Sequence, residues 1–198
     1  MTLATRYFVM SCDRPRSEEF QAVPEAIRIR TLHAVREREI QELSDVLIDC
    51  VEGGASVSFM LPIARATAVA FWRGAAAGVE RGERILLAAE NVAGDIIGTV
   101  QVILAQPENQ PHRADIAKML VHRRARRLGA GAALLAAAEG AALGAGKTLL
   151  VLDTASGDAE RLYARLGWQR CGVIPGYALL PGGGLCDTTF FYRTLGEF

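Results

Sequence analysis

The stretch HRRARRLGAGAALL, residues 122–135, decides how the rest of the chain is interpreted. Four of its first six residues are arginines, and two glycines then precede a run rich in alanine and leucine. The first N–H groups of a helix are unpaired and lie at the positive end of the helix dipole. Arginines and small residues at such a helix start therefore indicate an anion site. A solvated, charged turn stays open as the alternative on this stretch alone.

The segments on either side of this stretch have the order that an anion-binding loop requires, a strand before the loop and a helix after it. Residues 114–121 (ADIAKMLV) predict a strand, and residues 131–143 predict a helix that is apolar nearly all round and therefore buried. The GAGKT run at 144–148 has the opposite order, because a helix precedes it and a strand follows. An ATP-binding loop also requires glycine where this chain has Ala141, so the sequence argues against ATP.

The remaining patterns predict an α/β domain. Helices are expected from Ala34 to the EGGAS run, from Pro62 (in the first turn) to Arg81, and at 157–167. Strands are expected at 26–32, 84–90, 96–105, 147–153, 168–174 and 188–195. We therefore predict one domain at residues 25–198, a mixed, mostly antiparallel sheet of about seven strands flanked by about four helices. Residues 1–24 are interpreted as a loose N-terminal leader.

Composition excludes several classes of protein. The formal net charge is zero, which argues against a protein dedicated to nucleic acid. The four cysteines are scattered without a histidine cluster, so we expect no metal site and reduced thiols. No apolar run is long enough for a membrane span, so we expect a cytoplasmic protein, either a monomer or a homodimer.

Two motifs resemble the GNAT superfamily of N-acetyltransferases. Arg126-Arg127-Leu128-Gly129-Ala130-Gly131 matches the R/Q-x-x-G-x-G/A pyrophosphate loop of that family. LYARLGW, at 162–168, resembles its second signature, a tyrosine on a short helix followed by glycine and an aromatic residue. GGASVSFM (53–60), KMLV, LDT and PGYALLPGGGLCDTTFFYRTLG are similar to the tabtoxin resistance protein branch, over about residues 40–196.

The resemblance implies a GNAT-like fold and an enzyme that uses acetyl-CoA as co-substrate. It implies transfer of the acetyl group to the primary amine of a small molecule, amino-acid-like or an antibiotic, with both substrates bound together. Arg127 stands where many relatives have glycine, and Leu128 where a polar residue is common. The residues expected to bind the coenzyme are Met119, Leu120, Val121, Arg126, Arg127, Leu128, Gly129, Ala130, Gly131, Ala132 and Ser156.

Three residues are candidates for the proton chemistry. The resemblance makes Tyr163 the proton donor to the leaving thiol, a role that suits a phenol with a pKa near 10. Asp115 and Asp153 are candidate bases, because adjacent parallel strands bring their ends to one cleft. A packing tyrosine, a strand-edge salt bridge and a helix cap remain the structural alternatives. Phe59 and Tyr177 are expected either to line the acceptor pocket or to pack in the core.

Other functions remain open from the sequence. Within enzymes, the alternative acceptor is a protein N-terminus or a lysine. A non-catalytic acyl-CoA sensor is a different class, against which Tyr163 and the two aspartates argue. A DNA-binding turn would explain the arginines, but it explains neither the glycines nor the tyrosine motif.

Overall fold

The computed structural model describes residues 27–196, so the leader expected at 1–24 lies outside the described residues. The strands are β1 (Arg28–Thr31), β2 (Arg84–Glu90), β3 (Ile96–Ile103), β4 (Arg113–Val121), β5 (Leu149–Thr154), β6 (Gln169–Leu179) and β7 (Leu185–Thr194). The helices are α1 (Glu37–Glu52), α2 (Arg65–Glu80), α3 (Ala130–Gly144) and α4 (Gly157–Arg165), and a short 3-10 turn spans Arg123–Ala125.

The strands form a single sheet in the order β1-β2-β3-β4-β5-β7-β6. Every neighbouring pair is antiparallel except β4 and β5, which run parallel. This arrangement confirms the predicted fold class, a mixed and mostly antiparallel sheet flanked by four helices. The strands expected at 84–90 and 96–105 correspond to β2 and β3, which form an antiparallel hairpin.

Each face of the sheet carries its own hydrophobic core. Side chains alternate along a strand, so in β2 Leu87 packs on the α3 face and Leu86 on the α1–α2 face. Leu134 of α3 is fully buried in the first core, and Trp72 of α2 in the second. Within residues 27–196, no helix is long and apolar enough to cross a bilayer.

Helix α2 begins three residues later than the sequence predicts, at Arg65, and Pro62 lies outside its first turn. Residues 53–64 instead form a loop that is held against the β6–β7 hairpin. The Leu61 amide donates to the Pro181 carbonyl at 2.9 Å, and the Ser56 hydroxyl donates to the Leu179 carbonyl at 2.9 Å. These two bonds fix residues 53–64 against the hairpin in a loop conformation.

The prediction that α3 is buried all round is wrong. Leu134 and Leu135 are buried, whereas Leu143 is 52% exposed and Gly140 lies on the open side. The outward side consists largely of alanine and glycine, which expose little apolar area. The sequence of α3 is therefore almost entirely apolar, although one side of the helix is exposed to solvent.

Replacing Leu134 by alanine should lower the free energy of unfolding by about 2–5 kcal/mol, because it leaves a cavity in the α3 core. Leu143→Ala in the same helix is the matched control and should change it by less than about 0.5 kcal/mol. Urea unfolding monitored by tryptophan fluorescence measures both. Equal effects of the two substitutions would contradict the packing described for α3.

Candidate active site

The sheet opens between its two parallel strands. β4 and β5 pair over three residues only, Arg113–Asp115 against Leu149–Val151. β4 then continues to Val121 and β5 to Thr154 without further pairing between them among the described residues. From Ile116 onward, the side of β4 that faces β5 is therefore an open backbone edge, where an extended ligand can pair as an additional strand would.

A bulge in β4 sets which backbone groups face this opening. Two residues, Lys118 and Met119, lie opposite the single residue Val100 of β3, and Lys118 has a φ of 49°. The His122 amide donates to the Ile97 carbonyl at 2.9 Å. Since hydrogen-bonded pairs alternate along an antiparallel ladder, the Val121 backbone points away from β3, while that of Leu120 points toward it. The Leu120 side chain is buried in the α1–α2 core.

The loop at residues 126–132 joins the open strand to α3. Arg127 has a φ of 64° and Gly129 a φ of 91°, so the chain makes two left-handed turns before the helix starts. No side chain caps α3 at Gly129, and its first turn has no acidic residue. The N–H groups of the first helical turn therefore remain available to an anion.

Gly131 allows α3 to begin close to its neighbours. A Cβ atom at this position would lie 3.1 Å from the Leu162 side chain of α4 and 3.7 Å from Met119 of β4. The small residue therefore keeps open the space between α3, α4 and β4. This is a second requirement for glycine, besides the approach of an anion to the backbone.

Three of the four arginines, Arg123, Arg126 and Arg127, divide into two roles. Arg123 is fixed by Asp49, whose carboxylate accepts from the Arg123 amide at 2.7 Å and from its Nε at 2.9 Å. Burial opposes ionisation of Asp49, but these bonds hold its pKa below the ordinary value. Arg126 and Arg127 are exposed, with Arg126 Nε 3.4 Å from the Val121 carbonyl. Arg123 thus anchors the turn, and Arg126 and Arg127 are placed to attract an anion.

Tyr163 is buried in the core on the α3 side of the sheet, and the charge of Asp153 acts on its phenol. Its ring packs 5.9 Å from the ring of Trp168 and 5.7 Å from that of Phe191, centroid to centroid. Its hydroxyl has no hydrogen-bond partner among residues 27–196. Burial, and then the charge of Asp153, raise the pKa of the Tyr163 phenol, so the phenol keeps its proton at neutral pH.

The two aspartates share a face of the sheet but differ in their partners. Asp115 is in register with Val151, two residues before Asp153, so both carboxylates project on the α1–α2 side. Asp115 pairs with Arg113 at 2.5 Å and accepts from Gln106 at 3.1 Å. Solvent reaches part of Asp153. Partial desolvation of its carboxyl raises its pKa above the ordinary value, the nearby charge of Lys118 lowers the pKa, and the charge of Asp115 raises it further.

The remaining predicted residues lie around this opening. Phe59 is half-buried and meets Phe71 edge to face at 5.3 Å between centroids, as a core aromatic does. Tyr177 is 52% exposed and stands edge to face on Phe190 at 5.6 Å. Ser156 caps α4 by accepting from the Ala159 amide at 3.5 Å. Within residues 27–196, no three His, Cys, Asp or Glu side chains converge as metal ligands.

Sequence reasoning missed Lys118 as a site residue. Its ammonium lies on the α1–α2 side of the sheet, near Asp153, and donates to the Ser58 hydroxyl at 3.2 Å. The sequence does contain a signal, since Lys118 is one of only two lysines among 22 basic residues. The bulge that directs this side chain was not predictable from the pattern.

The acetyltransferase (GNAT) family model matches residues 57–168, more than half of the chain, and the chain therefore belongs to that family. The protein is accordingly an acetyltransferase.

Three solved structures share its fold. An N-acetyltransferase from Staphylococcus aureus Mu50 superposes with a TM-score of 0.71 at 17% identity, covering 86% of this chain and 99% of the other. A phosphinothricin acetyltransferase from Sinorhizobium meliloti, in complex with acetyl-CoA, gives 0.71 at 18% identity, covering 88% and 90%. A ribosomal-protein-alanine N-acetyltransferase from Brucella melitensis gives 0.68 at 22% identity, covering 84% and 99%.

The left-handed backbone at Arg127 generates a stability prediction. Arg127→Gly should be about 0.5–1 kcal/mol more stable than Arg127→Ala, because relief of a left-handed strain of about 1–2 kcal/mol exceeds the entropic disadvantage of glycine. Ala136→Gly, at an exposed position of α3, should instead destabilise by about 1 kcal/mol. Urea unfolding tests all three. An Arg127→Ala variant as stable as Arg127→Gly would contradict the left-handed turn.

Proposed function

We propose that this protein is an acetyl-CoA-dependent N-acetyltransferase that acts on the primary amine of a small molecule, by direct transfer while both substrates are bound. The observation that carries the proposal is the opening between β4 and β5, beside which Tyr163 lies near enough to Asp153 for that carboxylate to raise the pKa of the phenol. Acetyl-CoA is bound to the Sinorhizobium meliloti relative named above, which supports the choice of donor.

The residues around the opening fit the coenzyme chemically. The uncapped start of α3 offers N–H groups to phosphate, and each charge-assisted hydrogen bond contributes about 1.5–3 kcal/mol. The open edge of β4 offers backbone groups to the amide-rich arm of the coenzyme. When bound, acetyl-CoA supplies an acetyl thioester. We assign to this site Met119, Val121, Arg126, Arg127, Leu128, Gly129, Ala130, Gly131, Ala132 and Ser156. Leu120 is left out, because its backbone faces β3 and its side chain lies in the α1–α2 core.

Asp153 is the better of the two candidate bases. An amine with an ordinary pKa is mostly protonated at neutral pH, so a group must accept its proton before the nitrogen can bond to the acetyl carbon. The raised pKa of Asp153 makes it a stronger base, and solvent reaches it. Asp115 is occupied by Arg113, and we infer that it acts through its charge, which raises the pKa of Asp153.

Tyr163 donates a proton to the leaving group. As the carbon–sulfur bond breaks, the departing sulfur requires a proton, because an ordinary thiol has a pKa near 8.5. The buried phenol of Tyr163 holds its proton at neutral pH, and the family motif marks it as the donor.

A small acceptor fits better than a basic peptide. The loop at 53–64 is bonded to the β6–β7 hairpin beside the opening, and Phe59 and Tyr177 flank that side. An acidic groove along α1 is lined by Glu42, Asp45 and Asp95, and neither Asp153 nor Tyr163 lines it. Such a groove does not draw a basic peptide to the reaction site. We propose that the protein is a cytoplasmic monomer or homodimer that inactivates an amine antibiotic. Catalytic turnover of acetyl-CoA with an amine would distinguish such an enzyme from a non-catalytic acyl-CoA sensor.

Tyr163→Phe should retain the fold and lower single-turnover rates roughly 10–100-fold, by the same factor from about pH 6 to about pH 9.5, because the wild-type phenol stays protonated throughout. Tyr192→Phe is the matched control, since the Tyr192 hydroxyl bonds to Gln169, and it should change the rate less than about twofold. An unchanged rate in Tyr163→Phe would leave that residue with a packing role only.

Asp153→Asn should show a different profile. Its loss of rate should be largest at low pH and should shrink as pH rises, since free amine then becomes available without a base. Thiol release with a panel of amines, amino acids and peptides measures the rates. A loss that is uniform across pH would mean that Asp153 positions the acceptor and does not take its proton.

A further inference from the structure

Lys118 is an unusual charge on the acceptor side of the sheet. It is half-buried at the bulge of β4, and its Nζ lies 5.7 Å from the centroid of the Phe71 ring. An ammonium has three hydrogen-bond donors, and within residues 27–196 the hydroxyl of Ser58 is its one acceptor. No described carboxylate lies within 4 Å of it. The ammonium therefore keeps donors free at a position where water is partly excluded.

The second lysine shows what a structural ammonium looks like in this chain. Lys147 is buried, and its Nζ donates to the Leu104 carbonyl at 3.2 Å and to the Pro111 carbonyl at 2.8 Å. Burial of a charge without partners is unfavourable, so an ammonium is normally satisfied in this way. Lys118 lacks such carbonyl partners and faces the side from which the acceptor approaches.

We propose that Lys118 is an anion subsite for the acceptor, and that the acceptor therefore carries a carboxylate or similar anion a few bonds from its reactive amine. This inference rests on the proposed function and specifies its substrate class. Asp153, assigned to the amine, lies near enough to Lys118 for their charges to interact. A short molecule with an amine at one end and an anion at the other can therefore engage both side chains.

The other charges of this face agree with that assignment. Asp115, the next carboxylate, is ion-paired with Arg113 and accepts from Gln106, and it makes no ion pair with Lys118. Ser58 holds the ammonium from the 53–64 loop, and the Phe71 ring stabilises it from α2. An anion bound at Lys118 would also offset the field that this ammonium exerts on Asp153. The base would then be strongest when the correct acceptor is bound.

The first test follows the lysine itself. Protein labelled with ¹³C at the lysine ε-carbon gives two NMR signals, and Lys118→Met identifies which belongs to Lys118. Each of a panel of L-amino acids is titrated beside its carboxamide, which keeps the amine but lacks the anion. We expect a saturable shift of the Lys118 signal with at least one amino acid and none with its amide, and no change at Lys147. Equal responses to acid and amide, or no response to any acid, would overturn the proposal.

The second test measures specificity in thiol release. In the wild type, kcat/KM should favour an amino acid over its amide by at least about tenfold when both are expressed per concentration of unprotonated amine, since the amide has the lower amine pKa. Lys118→Met should bring this ratio close to one, and Lys118→Glu should reverse it. Arg170→Met removes one positive charge from an exposed position of β6 and should preserve the wild-type ratio. Retention of the wild-type ratio in Lys118→Met would refute the anion subsite.

The two proposals fail in different ways. If amines are acetylated but acids and amides react equally, the acetyltransferase function stands and the anion subsite is wrong. If no amine is acetylated, the proposed function fails, and the Lys118 signal still decides whether the ammonium binds the anion.

Discussion

The parting of two parallel strands is the constraint on which the rest of the structure depends. β4 and β5 share three residue pairs and then separate, which leaves a backbone edge unpaired in the middle of the sheet. Unpaired backbone groups in a core are unfavourable unless water or a ligand satisfies them. The bulge at Lys118, the left-handed turns at Arg127 and Gly129, and the absent side chain at Gly131 all serve this opening.

Charge is distributed unevenly around the opening. At the coenzyme end, exposed arginines and the start of α3 concentrate positive charge, while Asp49 fixes the turn that presents them. On the acceptor side, Asp115 is paired, Asp153 has an elevated pKa, and Lys118 is incompletely satisfied. This distribution supports our two proposals, that one end of the cleft binds a polyanion and that the other binds a short molecule bearing both an amine and an anion.

The fold was largely predictable because strand alternation, glycine punctuation and the two family motifs all carry local information. The start of α2 and the exposed side of α3 were missed, since each depends on tertiary contact: residues 53–64 bond to the β6–β7 hairpin, and alanine hides the difference between exposed and buried faces. The sequence identified Tyr163 and Asp153 as candidate site residues. It did not identify Lys118, because a bulge in β4 sets the direction of that side chain. The ion pair between Asp115 and Arg113 also could not be predicted from the sequence, because it depends on how the two side chains are oriented.

The most direct test of the central claim is the change in Tm that acetyl-CoA causes, each variant measured against its own ligand-free value. At about 100 times Kd, the wild type should rise by roughly 5–10 °C, because a ligand that binds only the folded state stabilises it by mass action. Gly131→Glu should abolish the rise by filling the space beside Leu162 with bulk and negative charge, whereas Gly140→Glu, on the open side of α3, should retain it. An equal rise in Gly131→Glu, or no rise in the wild type, would contradict a coenzyme site between β4 and β5.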